Sequence, residues 1–134
     1  MRKKILIIDD DRAISHLTTI RLRAAGFEVD AAFDGPSGLE KASEQRPDAI
    51  LLDIRMPDMD GFEVNACLKE GAGTATCPVV FLSANAQCTA RRRALEVGGM
   101  AFIAKPYEMA DVIAVIERVC ASKPPASVPH GAPR

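Results

Sequence analysis

The chain has 134 residues, 48% hydrophobic and 26% charged, which suits one globular domain that buries its core without disulfides or a structural metal. Its 17 Lys and Arg against 18 Asp and Glu leave a formal charge of −1, so the composition signals no basic face for nucleic acid or an anionic membrane. The apolar run Ile5–Ile8 after Met-Arg-Lys-Lys is too short for a signal peptide or a membrane span, so a cytoplasmic protein is expected.

In chain order, Lys4–Ile8 reads as a first strand. Ile14, Leu17, Ile20 and Ala24 share one helical face, which predicts a helix from about Asp11 to Ala25, stopped by Gly26. Phe27–Phe33 reads as a second strand, and Ser37–Gln45 as a helix closed by Pro47. Asp48–Asp53 is a third strand with almost no alternation, as expected when both faces are covered. Gly61–Glu70 reads as a short helix and Pro78–Ser83 as a fourth strand. Residues from about Ala86 to Val97 read as a helix stopped by Gly98-Gly99, and Met100–Ala104 as a fifth strand. Val112, Ile113, Ile116, Val119 and Cys120 fit the apolar stripe of a last amphipathic helix. This alternation of strand and helix implies a parallel sheet with helices on both faces. The segment Ser122–Arg134 has four prolines in 13 residues and is expected to be disordered, so the domain is set at 1–121 and a tail at 122–134. Cys67, Cys77, Cys88 and Cys120 form no CxxC pair and read as reduced, mostly buried residues.

In open parallel sheets the ligand site lies beyond the carboxyl ends of the strands. Here those ends carry Asp9-Asp10-Asp11, Asp53, Ser83-Ala84 and Lys105-Pro106. One of Asp10 or Asp11 could simply cap the first helix, but capping does not need three acids. Crowded carboxylates repel one another and lose water, so a hard cation is the natural counterweight. Mg²⁺ fits, since it takes oxygen ligands at about 2.0–2.1 Å and keeps several waters. Such a metal usually serves a phosphoryl group, and a carboxylate can itself be the nucleophile. Lys105, at a strand end before a proline, would neutralise the transferring oxygens, and the Ser83 hydroxyl could bond one of them. Taken alone, Lys105 reads equally well as a solvated surface lysine.

The segments "ILIIDDD", "DAILLDIRMPDMDG", "VVFLSA" and "FIAKPY", in that order, resemble the receiver domain of two-component response regulators over nearly all of residues 3–121. The resemblance implies a flavodoxin-like, doubly wound (βα)5 fold with a five-stranded parallel sheet in the order 2-1-3-4-5. It implies that Asp53 is the phospho-acceptor, Asp10 a direct ligand of Mg²⁺ (or Mn²⁺), and Asp9 an acid acting largely through water. The backbone carbonyl of Arg55 would complete the protein's share of the metal shell, and Lys105 would contact the phosphoryl group. Ser83 takes the family's hydroxyl position, Ala84 the small residue that leaves the pocket open, and Phe102 the switch aromatic. Family members often have a cis peptide at the position of Lys105-Pro106, and Pro57 and Gly61 would shape the loop after Asp53. No key position is disabled, so a degenerate receiver is not expected.

The implied mechanism is a phosphorylation-dependent switch. A histidine kinase or phosphotransfer protein donates to Asp53, Ser83 moves to the new charge, and Phe102 turns inward behind it. The surface of the helix over 86–97, the fifth strand and the last helix then changes shape for a downstream protein, and water hydrolyses the acyl phosphate. The chain is thus not an enzyme acting on a separate substrate, and neither nucleic acid nor membrane insertion is expected of it. With only 13 residues after the fold, a stand-alone receiver is expected, unless the chain is cut from a longer regulator, whose linker the Pro-rich tail would resemble.

Three rivals are weighed against this. A dinucleotide-binding domain needs a glycine-rich turn after the first strand, which "DDDRAIS" lacks; the glycine-rich Glu70–Thr76 has no GK[ST] and precedes a strand. A haloacid-dehalogenase-type phosphatase would use Asp9 and Asp11 as its D-x-D, but Arg12-Ala13 lacks the usual threonine and Asp53 would have no role. A binding module that never uses phosphate would leave the complete acid set unexplained. Arg91-Arg92-Arg93 reads as a solvated face, His16 as a surface or packed residue, His130 as exposed, and Met56 and Met59 as gap-fillers.

Overall fold

The computed structural model describes residues 2–84 and 101–122. Five strands, β1 (Lys4–Ile8), β2 (Glu28–Ala32), β3 (Ala49–Asp53), β4 (Val79–Ser83) and β5 (Ala101–Ala104), form one parallel sheet in the order β2-β1-β3-β4-β5. Four described helices pack on it: α1 (Arg12–Ala24), α2 (Gly35–Gln45), α3 (Gly61–Glu70) and α4 (Met109–Ser122). The helix expected over 86–97, with Arg91–Arg93 and Cys88, lies outside the described residues, as does 123–134 with His130. The last helix reaches Ser122, one residue past the expected boundary.

The absence of alternation in the strands has its cause in two cores. Ile5, Ile7, Leu51, Leu82 and Ile103 face one side, under Leu22 of α1 and Val112 and Ile116 of α4. Leu6, Ile8, Ile50, Leu52 and Phe81 face the other, under Ala42 of α2 and Val64 and Leu68 of α3. With both faces buried, every position of β3 and β4 is interior. The strand order and the parallel register agree with the fold expected from the sequence.

Local chemistry sets the helix starts. Asp11, Asp34 and Asp60 each stand at an N-cap and accept a hydrogen bond from the backbone N–H three residues on. Asp60 and Glu63 complete a capping box, so two orphan donors are satisfied at the start of α3. The Asp34 cap starts α2 at Gly35, two residues before the expected Ser37. Gly26 ends α1 with φ +101°, a left-handed turn that suits glycine.

One expectation changes character. Ile14, Leu17, Ile20 and Ala24 do mark α1, but the side of the helix that meets the sheet carries Ser15, Thr18, Thr19 and Leu22. Leu17 and Ile20 are 52% and 50% exposed. The buried face of α1 is thus made mostly of small hydroxyl residues, and Leu17 and Ile20 of the apolar stripe are turned outward. Of the cysteines, Cys77 is buried and Cys120 half-buried, as expected, while Cys67 is exposed. Met56 and Met59 are half-buried fillers against the second core, and His16 is exposed. Among the described residues no helix is long and apolar enough to cross a membrane.

Gly61 joins the fold to the site. A Cβ there would lie 2.5 Å from the Asp53 carbonyl oxygen and 2.8 Å from Ile54 Cα, both backbone atoms that cannot swing away. Its N–H donates to the Ile54 carbonyl at 2.7 Å, which folds the loop back on β3. Gly61→Ala is expected to destabilise the fold by about 1–3 kcal/mol through this overpacking. Urea unfolding of the variant beside wild type checks it, and an unchanged midpoint would refute it.

Candidate functional site

Strands β1, β3, β4 and β5 end along one edge of the sheet, and the residues at or just after those ends supply the site. Asp9 follows β1, Asp53 ends β3, Ser83 ends β4 and Lys105 follows β5. Asp9 is 0% exposed, Ser83 2% and Asp53 5%. Asp10 is exposed, so the set opens to solvent on one side.

Asp9 has both carboxylate oxygens engaged. Oδ1 accepts the Asp11 N–H at 2.9 Å, and Oδ2 accepts from Lys105 Nζ at 2.8 Å. The same ammonium stands 3.7 Å from Asp53 Oδ1. Asp9, Asp10 and Asp53 each offer a carboxylate oxygen, and these lie within 4.8 Å of one another. Asp11 stays out of the cluster, its Oδ1 turned to the Ile14 N–H as the cap of α1. The alternative of one capping acid therefore holds for Asp11 and for it alone among Asp9, Asp10 and Asp11. A D-x-D phosphatase reading loses ground, because its second acid is spent on a helix end.

Electrostatics follow from this crowding. Burial pushes the Asp53 carboxyl up, and the Asp9 charge adds to it, to about 7; Lys105, with the Arg55 N–H, pulls the other way. For Lys105, burial works against the charged form, but the hydrogen bond to Asp9 and the charges of Asp53 and Asp9 outweigh it and hold the pKa above its ordinary value. Three acids against one ammonium leave the set short of positive charge. All the offered ligand atoms are oxygens, the donor type that a hard divalent cation takes. Beside Asp10, a depression of ≈ 540 Å³ is lined by Ile54, Arg55, Met56 and Phe62.

The remaining expected residues surround this centre. Ser83 and Ala84 follow one another at the end of β4, the first buried and the second exposed. Phe102 is half-buried beside the second core and pairs in register with Phe81. The Lys105-Pro106 peptide is cis, as expected.

The sequence reading missed Thr18 and Tyr107. Their hydroxyls meet at 2.9 Å across 89 residues of chain. No pattern in a single sequence pairs two such distant hydroxyls. It also missed the Asp60–Glu63 box, whose D-x-x-E spacing was legible.

Comparison with known proteins agrees with this geometry. The family model described as "Response regulator receiver domain" matches residues 5–117. The DNA-binding dual master transcriptional regulator RpaA of Synechocystis sp. is 39% identical over 111 residues, which is 83% of this chain and 46% of that protein. The chain thus spans about half the length of the curated relatives it matches. Among solved structures, the chemotaxis protein CheY4 of Vibrio cholerae has a TM-score of 0.84 at 28% identity, covering 89% of this chain and 99% of that one. The receiver domain of the sensor histidine kinase PA1611 from Pseudomonas aeruginosa, described with a magnesium ion coordinated in its active site cleft, has a TM-score of 0.83 at 28% identity over 90% of this chain and 99% of its own. On its fold, its edge of acids and these matches, the chain belongs to the response regulator receiver domain family.

Proposed function

We propose that this chain is a phosphorylation-dependent signalling switch in which Asp53 accepts a phosphoryl group from a phosphohistidine on a sensor kinase or phosphotransfer protein. The observation that carries the reading is the meeting of Asp53 with Asp9, Asp10 and Lys105: three carboxylate oxygens within 4.8 Å, and an ammonium 3.7 Å from the acceptor. An Asp53 oxygen attacks phosphorus, the P–N bond breaks, and its electron pair returns to the imidazole. Lys105 stands where it can follow the transferring oxygens, and the Ser83 hydroxyl can donate to one of them. Asp10, Asp53 and the backbone carbonyl of Arg55 would hold Mg²⁺ (or Mn²⁺), with Asp9 acting largely through water, as the family resemblance implies. When bound, the metal supplies positive charge to the phosphoryl oxygens. The magnesium described for the PA1611 receiver supports this assignment. Water later hydrolyses the acyl phosphate and resets the switch.

The output runs through Ser83 and Phe102. Ser83 is drawn to the phosphoryl group, and Phe102 follows into the space behind it. The surface that changes is that of β5 and α4, with the helix expected over 86–97. A cytoplasmic setting fits this role. A stand-alone receiver matches the span of CheY4, whereas RpaA is about twice as long. RpaA is named as DNA-binding, so the expectation of no nucleic-acid partner finds no support in the relatives. A protein phosphodonor is supported by the outward stripe of α1. Ile14, Leu17 and Arg21 line one wall of a ≈ 330 Å³ cavity that Lys105 and Pro106 close on the other side.

Intact mass after incubation with Mg²⁺ and a small phosphoramidate tests the reading. One added phosphoryl group is expected in wild type, and none in Asp53→Asn or in the presence of a chelator. Phosphate on Asp9 instead would favour the phosphatase, and no gain in a folded protein would favour a binding-only module.

The acceptor's pKa yields a second expectation. Asp53 titrates near 7 in the fold against 3.8 unfolded, so the fold favours its neutral form. That contribution is fully present below pH 3.8 and is lost as pH rises through about 7. In chelator, Asp53→Asn is therefore expected to be more stable than wild type, by about 1–3 kcal/mol above pH 8 and by little near pH 4. Melting curves across this range check the sign, and a gap that shrinks as pH rises would contradict the assignment.

A further inference from the structure

Lys105 stands in an unusual place for the strand that delivers it. It follows β5, but its ammonium sits on Asp9 beyond β1 and near Asp53 at the end of β3. In the order β1-β3-β4-β5, β5 is three steps from β1. At about 4.8 Å per step that is roughly 14 Å, more than an extended lysine side chain spans. The backbone after β5 must itself lean across the sheet edge toward β1 and α1.

Residues 105–108 belong to no helix or strand. The segment leaves β5 through the Lys105 N–H, which donates to the Ser83 carbonyl at 2.8 Å, and enters α4 at Met109. Between these ends Tyr107 reaches α1. Its ring is half-buried against the first core, and its hydroxyl bonds Thr18 Oγ1 at 2.9 Å. Thr18 is 2% exposed and lies on the buried face of α1, so the anchor is a packed side chain. A phenylalanine ring would fill the same space, so what the hydroxyl adds is the tie to α1.

We propose that Tyr107 is a positioning residue: its hydroxyl, held by Thr18, fixes the 105–108 segment against α1 and so keeps the Lys105 ammonium over Asp9 and Asp53 during phosphoryl transfer. The proposal rests on the Asp53 reading above and deepens it. The tie acts through Lys105, not on the phosphoryl group. Losing it spreads the ammonium over more positions and lowers the fraction of molecules ready to react.

The test is phosphorylation kinetics with Mg²⁺ and a small phosphoramidate, a donor that needs no protein docking, followed by intact mass. Tyr107→Phe and Thr18→Val are each expected to lower the maximal rate by about three-fold or more, while the donor concentration at half-maximal rate moves by less than about two-fold. The double variant is expected to be no slower than either single one, because each removes the same bond. Thr18→Ser, which keeps a hydroxyl, is expected to restore most of the rate. In a Lys105→Ala background, Tyr107→Phe is expected to have no further effect, whereas a merely structural role would still slow that protein. Because Thr18 and Tyr107 approach the bond from opposite sides, misfolding of one variant leaves the other to decide. Wild-type rates in the folded variants, additive losses, or a loss that persists without Lys105 would each overturn the proposal and leave the Asp53 reading intact. Absence of phosphate on wild type would bring down both.

Discussion

The hydrogen-bonded pair of Asp9 and Lys105 is the contact on which the site depends. A carboxylate with no exposure is costly in a fold unless its oxygens have hydrogen-bond partners. Asp9 meets that condition with a backbone N–H on one oxygen and the ammonium on the other. Removing either partner would leave a buried charge alone, which costs far more than the pair itself contributes. The pair also fixes the chain's path. It draws the segment after β5 over the sheet edge, and so sets the ammonium within 3.7 Å of Asp53. Strand order, the leaning segment and the acceptor's environment are thus one arrangement.

Much of this was legible in the residues. Nearly uninterrupted apolar runs of strand length, such as AILLD and VVFLS, read as strands covered on both faces. The acids were legible because each stands at the end of such a run, where parallel sheets bind ligands. Boundaries were read less well where caps decide them: Asp34 starts α2 two residues early because its side chain reaches the Ser37 N–H. The separation of Asp11 from Asp9 and Asp10 could not be read at all, since three adjacent acids look alike until the helix start claims one. The bond between Thr18 and Tyr107 was equally hidden, because it depends on where two distant segments meet.

Helix α1 shows how a pattern can be right about an element and wrong about its orientation. Period 3.6 marked Ile14, Leu17 and Ile20 as one face, and that face exists. The sheet, however, takes the neighbouring face of Ser15, Thr18, Thr19 and Leu22. Thr18 on that buried face is also the residue whose hydroxyl meets that of Tyr107. The exposed Leu17 and the half-buried Ile14 then line the cavity that Lys105 and Pro106 also line.

The charge balance gives the proposed switch its direction. Without a cation, three carboxylates face one ammonium, and the acceptor responds by holding its proton up to about pH 7. Asp10, Asp53 and the backbone carbonyl of Arg55 would hold a divalent cation, whose charge would offset that imbalance and favour the ionised form of Asp53. A phosphoryl group then brings roughly one further negative charge to a side chain with 7% exposure. Solvent can do little for that charge, so the neighbouring groups must answer it: the lysine by holding on, and the buried hydroxyl of Ser83 by turning toward it. Ser83 closes the strand that pairs with β5, and Phe102 lies in β5 two residues before the Ala104 that faces Ser83 in register. A charge added at Asp53 therefore meets Ser83 one strand away and Phe102 two strands away, the residues through which the proposed output surface would feel it.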